Sequence, residues 1–259
     1  YLTMNLLSKV GSYDFLVEPF HCDFSNRIFI GHLGNHLLNA ADFHSNERGY
    51  GMDYLNTVHK TWVLSRFVME MTDMPKAYDR ITVDTWVENV MKFFTSRNFT
   101  IRDKEGKIYG YGRSIWAMID TESRQRVDIL QERDGLITKY IETDKECPIE
   151  PFKRVKVAKT TEVSHSIDTH YSDVDVNGHI NSVKYIEHIL DMWPLDWYNK
   201  YRLQRIDIAY VAESYFGDKL HFAVEQRSDE EYDIMVLKSN DNSTDMKEVC
   251  RCKLIFVKN

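Results

Sequence analysis

The sequence predicts an α+β protein built from a duplicated unit, one helix followed by several antiparallel strands. Three observations carry this. The apolar pattern is mostly of period two, the spacing of half-buried strands, as in Thr82-Val83-Asp84-Thr85-Trp86-Val87. Helical periodicity is confined to two segments, near 31–48 and 180–199. The two segments also share surroundings. Gly31-His32-Leu33 opens one and Gly178-His179-Ile180 the other, and Arg66 precedes Asp79-Arg80-Ile81 by the same 13 residues by which Arg205 precedes Asp218-Lys219-Leu220. Two such matches, with about eight extra residues in the first half around Gly49-Tyr50-Gly51, suggest a repeat, against chance similarity inside a single α+β domain.

In chain order, the first helical segment is followed by strands expected over Thr82–Val87, Lys92–Arg102 and Ile108–Ile119. Lys104-Glu105-Gly106-Lys107 turns between the last two and makes them a hairpin. Asp144 to Lys159, with Pro148 and Pro151, is the natural connection. The second helix carries a broad apolar stripe of Ile180, Val183, Ile186, Ile189, Leu190 and Trp193. Strands are then expected over Arg205–Val211, Leu220–Gln226, Tyr232–Lys238 and Val249–Val257, with Asp241-Asn242-Ser243 as a turn. The expected units are 1–145 and 160–259, joined by 146–159.

A chain of 259 residues is long for one domain and comfortable for two. With 43% hydrophobic and 28% charged residues it can bury a core and is not a disordered chain. Lys+Arg is 33 against Asp+Glu 40, a formal charge of −7, so nucleic acid is not expected as a partner. No apolar run is long enough for a membrane span, and Tyr1 to Val17 contains no apolar stretch of the secretory kind. Four irregularly spaced cysteines (Cys22, Cys147, Cys250 and Cys252) suggest a reducing cytoplasm rather than a disulfide framework.

Chemistry concentrates in Tyr171-Ser-Asp173-Val-Asp175-Val-Asn177-Gly178-His179-Ile180-Asn181. Asp175, Asn177 and His179 alternate, so an extended approach to the helix would point all three one way. A carboxylate, a carboxamide and an imidazole on one face can orient a water and polarise a carbonyl. A calcium loop would share the opening Asp173-x-Asp175-x-Asn177-Gly178, but its twelfth position would be Glu and here is Lys184. A hairpin turn at Asn177-Gly178 would require a strand after it, where the period is helical. A simple helix cap would need one such residue, not three. The Gly31-His32 match sets Ile28 and Ile30 opposite Asp175 and Asn177, so the repeated unit is not expected to need the polar pair.

The run from Asp173 to Ile186 resembles the signature of the acyl-acyl carrier protein thioesterases, the plant and bacterial enzymes that release fatty acids from acyl carrier protein. Trp62-Val-Leu, Asp79-Arg-Ile-Thr-Val-Asp-Thr-Trp-Val87, and Ser114-Ile-Trp-Ala-Met118 followed by Arg124 and Arg126 are similar too, so the resemblance spans essentially the whole chain. It implies a tandem (double) hot-dog, each unit an antiparallel sheet wrapped around a long helix. The first unit would shape the acyl-chain cavity and the second would carry the active site. It further implies a Glu-Cys pair on a later strand. Here Ile208-Ala-Tyr210-Val-Ala-Glu213-Ser214 matches, with Ser214 in place of the cysteine. In the duplicated frame Met74-Pro75 stand opposite Glu213-Ser214.

The expected catalytic set is therefore Asp175, Asn177, His179 and Glu213, with no cofactor. Carboxylate- and His-activated water would hydrolyse the thioester, Asp175 holding the His179 ring or the Asn177 amide; Ser214 would be a nucleophile only if His179 activated it. The rival functions are an acyl-CoA thioesterase or dehydratase of the same fold, and a non-catalytic sensor that binds acyl thioesters. His32 and His36 have the spacing to share a metal, but no further ligand is evident, and neither is one for Cys250-x-Cys252; no metal is expected. Lys153, Arg154, Lys156 and Lys159 are either a solvated connector or a docking surface for acidic acyl carrier protein, with Arg124 and Arg126 as a second candidate. A homodimer stays open, because a tandem unit already mimics the usual dimer within one chain.

Overall fold

The computed structural model describes residues 6–240 and 243–259. Its first half runs β1 (Gly11–Leu16), α1 (Ile30–Glu47), a short α2 (Met52–Leu55), β2 (Lys60–Met71), β3 (Arg80–Val90), β4 (Thr95–Arg102) and β5 (Ile108–Asp120). The second runs β6 (Val163–Asp168), α3 (Ser182–Leu190), α4 (Leu195–Lys200), β7 (Tyr201–Tyr210), β8 (Lys219–Gln226), β9 (Glu231–Asn240) and β10 (Ser243–Lys258). All the strands join one antiparallel sheet in the order β1-β3-β4-β5-β2-β7-β10-β9-β8-β6. From each outer edge to the centre, the order is the first, third, fourth, fifth and second strand of that half. The halves therefore share topology, and each wraps around its own helix. This is the tandem hot-dog.

The halves meet where β2 pairs with β7, from Arg66↔Ala209 to Glu70↔Arg205. Because Arg66 and Arg205 are equivalent positions, this is the register of a two-fold pair centred on Val68↔Asp207. One continuous core lies between the helices and the inner face of the sheet. It draws Leu33, Leu37, Phe67 and Phe99 from the first half and Ile186, Ile189, Ile208 and Phe222 from the second. The helices α1 and α3 also touch across the halves at small residues. A Cβ on Gly31 would stand 2.8 Å from Cγ of Glu187, and one on Gly34 would stand 3.7 Å from Cγ2 of Val183.

Several expectations need correction. The helix expected over 180–199 is two pieces, because Pro194 lacks the N–H to continue it and disfavours helical geometry in the residue before it. Lys92 to Phe94 belong to a turn closed by Met91 N–H on the Phe94 carbonyl, so β4 begins only at Thr95. The strands β1, β2 and β6 were not anticipated; β1 and β6 are short edges, and a bulge at Leu64/Arg66 breaks the alternation of β2. Of the turn Asp241-Asn242-Ser243, the first two residues lie outside the described residues, and Ser243 already pairs with Asn240.

The connector is neither a free linker nor a helix. It runs as a strap across the outer face of the sheet, away from the helices. Cys147 and Ile149 pack on Val68 and Trp86, and Val155 and Val157 pack on Ala223 and Met235. Sheet arginines capture its carbonyls: Arg113 takes Cys147 (2.7 Å) and Ile149 (3.1 Å), Arg205 takes Glu150 and Pro151, and Arg227 takes Lys156. Arg205 is itself buried against Asp207 and Glu70, each at 2.7 Å, so its charge is compensated. No helix among the described residues is long and apolar enough to cross a membrane.

Candidate active site

A cleft of about 650 Å³ opens between the halves. Leu38, Met52, Trp62, Leu64, Trp116 and Arg124 of the first half line it, facing Asp175, Asn177, His179, Tyr185, Tyr210 and Glu213 of the second. The four residues expected to form the catalytic set thus converge.

The backbone that presents them is a turn tied down at both ends. Val174 and Ile180 bridge across it, Asp175 N–H donates to the His179 carbonyl (2.9 Å), and Gly178 sits at φ +80, where glycine is the default residue. Ile180 N–H donates to the Ser214 carbonyl (2.9 Å), which fixes the turn beside Glu213. Asp173, 2% exposed, accepts from His170 N–H (2.7 Å) and pairs with the His188 ring on α3 (2.8 Å). Asn181 caps α3 by accepting from Val183 N–H.

The first half repeats the backbone bonds of this frame, without counterparts among the described residues to the Asp173 and Asn181 side-chain bonds. Cys22 bridges Ile28, Asp23 N–H donates to the Arg27 carbonyl (2.8 Å), Asn26 sits at φ +62, and Ile28 N–H donates to the Pro75 carbonyl (3.0 Å). Asp175 therefore corresponds to Asp23, Asn177 to Ser25, His179 to Arg27 and Glu213 to Met74. This corrects the expectation that Ile28 and Ile30 stand opposite Asp175 and Asn177. Gly31 lies inside the first turn of α1, where a helix neighbour leaves no room for a side chain, whereas Gly178 precedes α3 and serves a left-handed turn.

The correspondence recasts Asp175. Its Oδ1 accepts from the backbone N–H of Asn177 (2.8 Å) and of His179 (3.4 Å), just as Oδ1 of Asp23 accepts from Ser25 N–H (2.8 Å) and Arg27 N–H (3.2 Å). These are the bonds Asp175 makes, to main chain rather than to the His179 ring or the Asn177 amide. It builds the turn in both halves. What the second half adds is Asn177, exposed at the cleft, together with His179 and Glu213.

Glu213 collects three side chains. Nη2 of Arg124 lies 2.6 Å from its Oε2, the Tyr215 hydroxyl donates at 3.1 Å, and Nε2 of His179 stands at 3.5 Å. The His179 ring meets Tyr215 edge-on at 5.1 Å. Burial pushes the Glu213 carboxyl up, but Arg124, His179 and Tyr215 outweigh it and leave the group below its usual range. Lys238 donates to the Glu213 carbonyl (2.6 Å) and approaches Asp218 (3.4 Å). Sequence reasoning missed Tyr215 and Lys238, and it read Arg124 as a candidate docking charge rather than as a partner of Glu213. Arg124 and Glu213 are 89 residues apart, and no local pattern announces such a pair.

Ser214 lines no part of the cleft. It is 0% exposed, and its hydroxyl has no hydrogen-bond partner among the described residues, His179 included. The Tyr185 hydroxyl is buried against Ser214, and burial raises its phenol. His32 stacks on His21 at 4.0 Å, and His36 packs on Phe15 with its pKa lowered by burial to about 4. Among the described residues no group of three or more His, Cys, Asp or Glu is arranged to hold a metal ion. Lys153, Arg154, Lys156 and Lys159 are exposed on the strap, on the face of the sheet opposite the cleft.

Residues 9–136 match the acyl-ACP thioesterase N-terminal domain and residues 156–257 the C-terminal domain. An acyl-ACP thioesterase from Bacteroides thetaiotaomicron is 46% identical, with a TM-score of 0.88 over 96% of this chain and 98% of that one. The 12:0-ACP thioesterase of Umbellularia californica shares the fold at 18% identity, with a TM-score of 0.81 over 97% of this chain and 95% of that one. The chloroplastic palmitoyl-acyl carrier protein thioesterase of Gossypium hirsutum is 28% identical over 79% of this chain, which spans 52% of that relative's length.

Proposed function

The chain belongs to the acyl-ACP thioesterase family, and on that premise we propose that it hydrolyses fatty acyl-acyl carrier protein to free fatty acid and carrier thiol. The observation that carries this reading is the meeting of Asn177, His179 and Glu213 on a backbone frame that the other half repeats without them. In the mechanism, water attacks the thioester carbonyl as the Glu213 carboxylate takes its proton. His179, 3.5 Å away, orients that carboxylate or shares the proton, which then goes to the departing thiolate. The Asn177 side chain, exposed at the cleft, receives the developing oxyanion, since the N–H groups of Asn177, His179 and Ile180 are already taken within the turn. Asp175 acts one step back, by holding the turn.

The first unit, 1–145, supplies the acyl-chain wall with Leu38, Met52, Trp62 and Trp116; the second, 160–259, supplies the chemistry, with 146–159 as the strap between them. Of the two cationic groups available for docking, Arg124 with Arg126 is favoured, because Arg124 lines the cleft while Lys153, Arg154, Lys156 and Lys159 are on the other face of the sheet. Four free thiols suit a reducing, cytoplasmic setting. The test is thiol release from acyl-carrier protein and from the matching acyl-CoA. Faster release from the carrier substrate supports the reading. Equal or greater release from acyl-CoA would make the enzyme an acyl-CoA thioesterase, and binding without thiol release would make it a sensor.

A further inference from the structure

We propose that Arg124 holds Glu213 in a resting ion pair, and that the phosphate on the leaving-group arm of the carrier-bound thioester takes Arg124 over and frees the carboxylate. The inference rests on the hydrolytic reading and adds a device that couples recognition of the carrier to the chemistry. Arg124 is here a positioning residue.

Among the described residues, Arg124 is the one Lys or Arg lining the cleft. It comes from the first half and reaches the acid of the second. Its backbone is fixed: Asp120 accepts from Arg124 N–H (2.9 Å), and its carboxylate accepts from Glu122 N–H and Ser123 N–H, which holds Arg124 at φ +60. A left-handed conformation is unfavourable for arginine, and here it accompanies a side chain aimed into the cleft. That side chain is 46% exposed, and of its five donors one bonds Glu213 while the others bond no described residue.

Such a pair is easily exchanged. Exposed ion pairs contribute little net stability, and a phosphate offers the guanidinium two parallel acceptors where Glu213 offers one. The charged and titratable groups facing Glu213 are Arg124 from the β5 side, His179 from the turn before α3, Tyr215 beside it and Lys238 from β9. When Arg124 leaves, His179 and Tyr215 still orient the carboxylate, and Lys238 still holds the Glu213 carbonyl. Its basicity rises at the moment the substrate arrives, which is what a general base needs.

The experiment uses two soluble thioesters with one acyl chain, acyl-pantetheine and acyl-4′-phosphopantetheine, across pH, on wild type, R124Q and R124K. Wild type should favour the phosphorylated thioester by about tenfold in kcat/KM, the worth of one charge-assisted hydrogen bond. R124Q should lose this preference, its kcat/KM on the phosphorylated thioester falling to that on acyl-pantetheine. Its acid limb on that substrate should move to higher pH, because Arg124 keeps the carboxyl ionised further into acid. R124K should retain part of the preference. A phosphate preference unchanged in R124Q would overturn the proposal, and so would an equal loss on both substrates, which would make Arg124 a support of the site. Absence of thiol release by wild type from either thioester would instead overturn the hydrolytic reading beneath it.

Discussion

The turns 19–29 and 171–181 share a set of backbone hydrogen bonds and differ in chemistry. Each has a short 3₁₀ turn, an aspartate gathering two backbone N–H groups, a left-handed residue, and an N–H anchored on the carbonyl after the later strand. Among the residues facing the cleft, the difference lies in Ser25 against Asn177, Arg27 against His179, and Met74 against Glu213; Asp173 and Asn181, opposite His21 and Phe29, tie the second turn to α3. A repeat of this kind acts as an internal control. What both halves keep is needed to fold, and what one half alone has is a candidate for function.

The largest effects should come from giving the second half the residues of the first. Glu213→Met and His179→Arg should each lower kcat by about 10²–10⁴, the usual worth of a general acid–base group, with unfolding temperature near that of wild type. A wild-type rate in either variant would break the contrast. Asn177→Ser should remove one oxyanion donor and lower kcat by about 10²-fold, read from the same thiol release.

Smaller effects sharpen the contrast from the side the halves share. Asp175→Ala and Asp23→Ala should each destabilise the fold by about 1 kcal/mol, through backbone N–H groups left without their acceptor, measured by denaturant unfolding. Asp23→Ala should leave kcat alone. An Asp175→Ala loss as large as that of Glu213→Met, with stability unchanged, would return Asp175 to the chemistry. Smallest of all, Ser214→Ala should retain activity within a few-fold and show no acyl-enzyme on rapid quench, since its hydroxyl is buried with no base beside it. A trapped acyl group on Ser214 would reverse that.

Much of this was legible in the sequence, and the reasons are particular. The Arg66/Asp79 and Arg205/Asp218 match was sound because Asp79 and Asp218 do one job, each accepting the N–H that closes its turn, from Lys76 and from Tyr215. The Gly-His match failed because two glycines were present for different reasons, one for space and one for a positive φ. The alternation Asp175, Asn177, His179 was visible as spacing, yet spacing did not reveal that Asp175 is consumed by the backbone. The partnership of Arg124 with Glu213 was hidden because it exists only where the two halves meet, whereas Tyr215, two residues from Glu213, carried no spacing signal of its own. The break at Pro194 was readable, and the apolar stripe running to Trp193 masked it.

The central claim is that three side chains on a shared frame make one half a thioesterase. The most direct test is the triple variant Asn177→Ser, His179→Arg, Glu213→Met, which makes the second turn chemically like the first, assayed for thiol release from acyl-carrier protein beside wild type. The account predicts a folded protein that still binds the acyl substrate and releases no thiol above background. Thiol release at the wild-type rate by the folded triple variant would contradict it.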